Sequence, residues 1–344
     1  MINDTLAGKG TCFSMVSQDL DLNVRACVSC RRCYASSIQF CLDCFVELVN
    51  IELIPFVIDA RYQLVKVISR GGMGVVFSAH DRDTGNEVAI KIFRSSAMAD
   101  PRAQDRFGHE VQFATQLEHP SVAATYGKGE LSDASAYVVT ELVNGPTLRA
   151  EMERAGKMPI ATGISILVAV AEGLNAAHQA GLVHRDLKPE SIIITSAPGE
   201  SQPQIKIVNF SFARIAIGRR FVPGTTGRLQ GKGVLPLRAT YLSPEQFRGE
   251  EVDLRSDIFS LGVIAYEMFA GKPPFTAKRT GDFAAKLLTE RPPSLRSLNA
   301  EVNVLLQAEI LRSLEKEPRQ RHQSAAEFKR ALLSAQQLGL RIVE

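Results

Sequence analysis

The sequence predicts an α+β protein with two lobes, a small sheet-rich one followed by a larger helical one, preceded by a small cysteine-rich metal-binding segment. Three observations lead there. Apolar residues alternate with period two in short segments between Arg61 and Thr140, and recur at helical spacing beyond Asn144-Gly145. Strands first and helices later imply separate layers rather than a repeating βαβ unit. All six cysteines lie within the first 44 residues, which marks a domain boundary.

The 344 residues allow one large or two medium domains with a proper core. Composition is that of an ordinary globular protein, 45% hydrophobic and 22% charged, and a formal net charge of +3 gives no reason to expect a nucleic-acid partner. Met1 to Gly10 lacks the basic-then-apolar plan of a signal peptide. No uninterrupted apolar run reaches the roughly 18–20 residues of a membrane helix. The best candidate, Phe40 to Ile58, is broken by Asp43, Glu47 and Glu52. A cytoplasmic protein without a membrane span is expected; oligomeric state is left open.

Residues 1–50 form the cysteine-rich segment and 51–60 a linker. Cys27-Val28-Ser29-Cys30 and Cys41-Leu42-Asp43-Cys44 each supply half of a tetrahedral thiolate cage. A small domain with few apolar residues needs such a staple. Zinc is the expected metal and iron the minor alternative; a disordered or redox-active thiol cluster is the other reading. Cys12 and Cys33 are spare, and Cys33 could substitute in the cage. A closed cage leaves no open metal position, so the segment suits protein contact rather than catalysis.

Tyr62 to Ile68 and Val75 to Ala79 read as strands around a glycine-rich turn, Ser69-Arg70-Gly71-Gly72-Met73-Gly74. Glycines there let backbone amides approach phosphate oxygens. Asp83 to Asn86 has hairpin chemistry, and Val88-Ala89-Ile90-Lys91-Ile92 is the next strand. A lysine within an apolar strand calls for an anion, though a snorkelling edge lysine reads the same way. Pro101 to Glu118 has helical spacing, with Phe107, Val111, Ala114 and Leu117 on one face and Glu110 available to Lys91. Tyr137 to Thr140 is another strand. Ile164 to Ala180, Ile258 to Phe269, Leu305 to Leu314 and Ala325 to Leu338 read as helices, the second capped by Ser256 and Asp257.

Val183-His184-Arg185-Asp186-Leu187-Lys188-Pro189-Glu190-Ser191 resembles the catalytic loop of a protein kinase, and the glycine turn, Lys91 and Glu110 precede it in the right order. Tyr241 to Gln246 resembles the end of an activation segment, Asp253 to Val263 the anchoring helix of the large lobe, and Leu314 to Arg321 the terminal helical motif. The wording is closest to bacterial serine/threonine protein kinases. The resemblance covers about residue 60 to about 338. It implies a kinase-like domain over 61–338, with a small lobe to about 143, a large lobe from about 144, and a tail at 339–344.

Position by position, the resemblance implies an ATP site. The loop from Ser69 through Gly71 and Gly74 to Val76 covers the phosphates, with Ala89 also in the site. Lys91 holds the α- and β-phosphates and pairs with Glu110. Thr140 lies behind the adenine, and Glu141 to Val143 form the hinge. Asp186 accepts the substrate hydroxyl's proton and Lys188 steadies the transferring phosphoryl group. Glu245 and Arg321 form a buried structural ion pair.

The pattern breaks at the metal ligands. The triplet that normally begins with aspartate reads Asn209-Phe210-Ser211, and Ser191 stands where the family has asparagine. Magnesium favours charged oxygen, and an amide with a hydroxyl removes the site's main fixed anion, leaving magnesium or manganese weakly held. Ser211 replaces a glycine, and Leu237-Arg238-Ala239 replaces the usual Gly-Thr-Pro, which places Arg238 where it could pair with Asp186. Two readings result. One is a pseudokinase that binds nucleotide weakly or without metal and serves as a scaffold or allosteric partner of another protein. The other is a working serine/threonine kinase, weak or manganese-preferring, acting on a protein substrate; intact Asp186, Lys188, Lys91 and Glu110 support it. The activation segment is basic, with Arg214, Arg219, Arg220, Arg228, Lys232 and Arg238, which suits an acidic partner or a solvated loop. Thr225 and Thr226 are candidate phosphosites whose phosphate could reach Arg185.

Overall fold

Strands β1 (Asn23–Ala26), β2 (Cys33–Ala35) and β3 (Val49–Pro55) build a small antiparallel sheet in the order β2-β1-β3. The computed structural model describes residues 23–71, 74–95, 101–133, 135–195, 203–210, 237–277 and 279–341. A second sheet has six strands. It consists of β4 (Val57–Ile58), β5 (Tyr62–Gly71), β6 (Gly74–Asp81), β7 (Glu87–Phe93), β8 (Thr125–Glu130) and β9 (Ala136–Glu141), in the order β4-β5-β6-β7-β9-β8. The stretch expected as a linker therefore carries the end of β3 and all of β4.

The two sheets share one core. Val24, Ala26, Cys33, Ala35, Ile51 and Ile54 from the first pack in one buried cluster with Leu64, Val67, Phe77, Ile90 and Val139 from the second. Strand alternation sorts the rest. On β7, Val88, Ile90 and Ile92 are buried, while Ala89 and Lys91 point to the other face and are half-buried. Gly74 opens β6 with φ 155°, and a Cβ there would lie 1.9 Å from the Ile92 carbonyl oxygen, so no other residue fits.

This sheet unit comprises the residues to Ser95 together with Lys128–Leu142; Ser96–Gly127 and the chain from Val143 form a second, helical unit. In order, its helices are α1 (Pro101–Thr115), α2 (Leu148–Ala155), α3 (Ile160–Gln179), α4 (Pro244–Arg248), α5 (Leu254–Ala270), α6 (Thr280–Thr289), α7 (Leu295–Leu298), α8 (Val304–Ser313) and α9 (Ala325–Arg341). Two short strands, β10 (Ile192–Ile194) and β11 (Ile205–Ile207), pair antiparallel. Every residue of α5 from Ser256 to Ala270 is buried, and α3 and α8 pack on it. Its N-cap is Asp253, whose side chain accepts the Arg255 amide. That corrects the expectation of Ser256 and Asp257 as caps: both lie inside the helix.

Helix α3 is long and apolar enough to cross a membrane by length and composition alone, although Glu172, Asn175 and His178 interrupt its apolar run. Nine of its residues are buried inside this unit, where Gly163 lets the Phe269 ring approach. Near the end of the chain, Arg321 is fully buried and donates 2.7 and 2.8 Å bonds to the two Glu245 oxygens. Its remaining donors go to the carbonyls of Glu315, Arg255 and Lys316. Ser256 also donates to Glu245, at 2.6 Å.

Burial pushes the Glu245 carboxyl up, but the Arg321 guanidinium outweighs it and holds the group below the usual glutamate range. A depressed native value stabilises the fold above the unfolded value near pH ~4.3, and this is lost as pH falls. We therefore expect Glu245→Gln to cost roughly 3–5 kcal/mol at neutral pH in urea unfolding. The gap from wild type should shrink below about pH 4.

Candidate functional site

The sheet register gathers the nucleotide candidates of the first unit. Ser69 stands opposite Val76, Val76 opposite Lys91, and Ala89 opposite Thr140. Because neighbours across a sheet point the same way, Val76, Ala89, Lys91 and Thr140 lie on one face, and all four are half-buried. Gly71 and Gly74 are paired across the turn beside them, and Glu141 ends β9. Lys91 Nζ sits 5.1 Å from the Phe93 ring centre. Val143 belongs to the second unit and comes just after the strand.

In the helical unit the loop around Asp186 is fixed by a carboxylate. Asp257, wholly buried on α5, accepts the amides of His184 and Arg185 at 2.7 Å each and His178 Nε2 at 2.9 Å. Burial pushes its pKa up, yet these donors hold it below the usual aspartate range. Arg185 is thereby held in the left-handed region at φ 64°, and Gln246 donates to its carbonyl at 2.7 Å. His184 accepts the Asp186 amide on Nδ1 and donates from Nε2 to the Val208 carbonyl. Burial lowers its pKa, which keeps the ring neutral and in that tautomer. Phe210 packs edge-on against it, 4.9 Å between ring centres.

Asp186 meets Lys188 Nζ at 3.1 Å, as a proton acceptor beside a phosphate-steadying lysine would. Ser191 is spent elsewhere. Its buried hydroxyl accepts the Lys188 amide at 3.1 Å and donates to the Lys188 carbonyl at 2.8 Å. Asn209 is exposed and sits at φ 64°, a conformation that asparagine and aspartate tolerate best after glycine. The backbone role of the position survives while its charge is gone. The remaining pair, Glu110 and Arg185, meet at 3.0 Å and are both buried. The reach of Arg185 toward a phosphate is thus limited by its bond to Glu110. Thr225, Thr226, Ser211, the rest of 211–236 and the Arg238 side chain lie outside the described residues.

Sequence reasoning missed the positioning residues Asp257, His178 and Gln246. It also missed Arg149 on α2, which pairs with Glu190 at 3.1 Å and Glu267 at 2.9 Å and reaches the Tyr241 hydroxyl. A signal for Asp257 existed: an acid inside an otherwise apolar helix must find buried donors.

The four cysteines converge, with all Sγ atoms within 4.8 Å of one another and Cys30 and Cys41 at 3.6 Å. A zinc–sulfur bond of about 2.3 Å in a tetrahedron needs a sulfur spacing of about 3.8 Å, so the quartet fits. The two turns repeat one another. Arg31 and Phe45 donate 2.9 Å amide bonds to the carbonyls of Cys27 and Cys41, each with positive φ, 64° and 54°. Amides of Ser29 and Cys30 point at Cys27 Sγ and that of Cys44 at Cys41 Sγ, all at 3.4 Å, as donors to thiolate would. Tyr34 braces Cys41 at 3.3 Å. Cys33 points into the apolar core instead, where burial pushes its thiol to about 12, which argues against a place in the cage. Cys12 lies outside the described residues.

Fold, loop and anchoring helix define a protein kinase fold. The protein kinase domain family model matches residues 62–336, and the chain belongs to that family. It is 36% identical to the serine/threonine-protein kinase PknB of Mycobacterium leprae and 37% to the probable PknB of Corynebacterium glutamicum. Each match covers 79% of this chain but 42% of the relative, so the chain spans under half the length of these curated relatives. Among solved structures, a mutant of the Mycobacterium tuberculosis PknI kinase domain superposes with a TM-score of 0.63 at 25% identity. That match covers 83% of this chain and all of that one. The cysteine turns precede the family match.

Metal analysis of the reduced full chain should find one zinc. Cys30→Ser should lose it and Cys33→Ala should keep it; retention by both would move the metal elsewhere.

Proposed function

We propose that this chain is a pseudokinase: a nucleotide-binding kinase fold that serves as a signalling scaffold or allosteric partner of another protein. The observation that carries this reading is the Ser191 hydroxyl. Both its proton and a lone pair are engaged by the backbone of Lys188. Turning it toward a cation would take from the half-buried Lys188 amide its hydroxyl acceptor, at roughly 1–3 kcal/mol, while the Lys188 carbonyl would keep the Ser191 amide. Asn209 offers at most a neutral carbonyl. The residues present therefore do not fit the family's magnesium ions, which need fixed negative oxygen. ATP itself suits the first unit, where the glycine turn supplies amides and Lys91 a cation without help from metal.

The alternative, a weak or manganese-preferring serine/threonine kinase, draws on one specific feature: Asp186 and Lys188 keep a working 3.1 Å relation. Zinc belongs to our reading of the cysteine quartet, as a structural cross-link rather than a reactive centre. Thiols placed for metal rather than disulfides suit the cytoplasm.

Radiolabelled ATP decides between the readings. With magnesium or manganese, phosphate incorporation into the chain or a generic protein substrate should stay at background. ATP should raise the melting temperature equally with and without metal. Incorporation that Asp186→Ala abolishes would overturn the pseudokinase reading. Asn209→Asp combined with Ser191→Asn should make the ATP shift magnesium-dependent and raise transfer by about 10²-fold or more.

A further inference from the structure

The first cysteine turn is joined directly to the strand that leads into the glycine turn. The Arg31 carbonyl accepts the Val67 amide at 2.9 Å, its guanidinium donates to the Ile68 carbonyl at 3.3 Å, and Arg32 bridges to Lys66. Between this turn and β5 lies an open groove of about 310 Å³. Its floor is Ala26, Ile51 and Val67, all buried. Its walls are Val28, Val49 and Ile68, all exposed, Val28 by 66%. Arg31 and Arg70 stand at its rim, and neither has a carboxylate partner among the described residues.

Scattered exposed aliphatics need no explanation, but a contiguous set around a concave surface does. The second cysteine turn, joined to the first at the Cys30–Cys41 contact, exposes Leu42 by 69% and Phe45 by 83%. In the groove itself, an apolar floor with two arginines at the rim suits an acidic protein segment.

We propose that the groove docks an extended segment of a protein partner in which aliphatic and carboxylate side chains alternate. Period two sends the aliphatics onto the floor and turns the carboxylates to the arginine rim. Guanidinium and carboxylate then form charge-assisted, bidentate bonds that fix register. The site adjoins Ser69 and Arg70 but is independent of whether phosphoryl transfer occurs; it rests on the cysteine turns being closed.

The test uses the full zinc-loaded chain and a fluorescent eight-residue peptide alternating leucine and aspartate. Controls are the leucine–asparagine peptide and vesicles of phosphatidylcholine with phosphatidylglycerol. Saturable binding of the aspartate peptide is expected. Arg70→Glu should weaken it by about 10-fold or more and restore binding to a leucine–lysine peptide. Val28→Ser should weaken it independently of salt. Arg70 and Val28 are exposed, so unchanged melting temperature and zinc content should accompany both, and zinc loss would mark failure of the cage rather than of the groove. No binding, equal binding of the asparagine peptide, indifference to Arg70→Glu, or preference for vesicles would each overturn the proposal.

Discussion

Asp257 keeps a carboxylate away from water on a helix that is buried along nearly its whole length. It tolerates this because three donors converge on it, two of them amides of the loop that carries Asp186. Arg185 takes its left-handed conformation under that hold, and His184 and Phe210 stack behind it. None of this needs a metal or a substrate. The loop is shaped by the helix beneath it, so the geometry of a kinase can outlast its chemistry. On the reading proposed here, what would distinguish a live site from a silent one is the donor set at Ser191 and Asn209.

The cysteine segment is similarly bound to the six-stranded sheet. Its strands contribute to the same buried cluster as that sheet, and Cys33 is part of the cluster. A fragment cut near residue 50 would divide β3 and expose Ile51 and Ile54. The segment is better regarded as an extra layer on the small lobe than as a module on a tether. Two non-glycine residues in left-handed conformation, Arg31 and Phe45, tighten its turns at a cost of order 1 kcal/mol each. A metal held by the four thiolates would offset it.

Much of this was legible in the sequence because it depends on local pattern. Alternation located β5, β6, β7 and β9, and the glycines located the turn. Paired Cys-x-x-Cys spacing located a cage whose sulfurs do converge. The Glu245–Arg321 pair came from motif order. Long-range satisfaction was less readable. Nothing in the spacing of His178, Gln246 and Asp257 says that they meet at one loop. Cys33 reads as a spare ligand in sequence because nothing local says that all of β2 is buried and that this thiol joins the shared apolar core. Ser191 reads as a possible metal ligand in sequence, and only the fold shows its hydroxyl engaged by the Lys188 backbone.

Helix α3 has one further consequence. With a single acid, Glu172, in twenty residues, it resembles a segment that insertion machinery would accept while the chain is still emerging from the ribosome. Much of its protection comes from partners made later, chiefly α5 and α9. Synthesis slowed between these helices would leave a greasy rod waiting for its neighbours, the kind of exposure that favours aggregation.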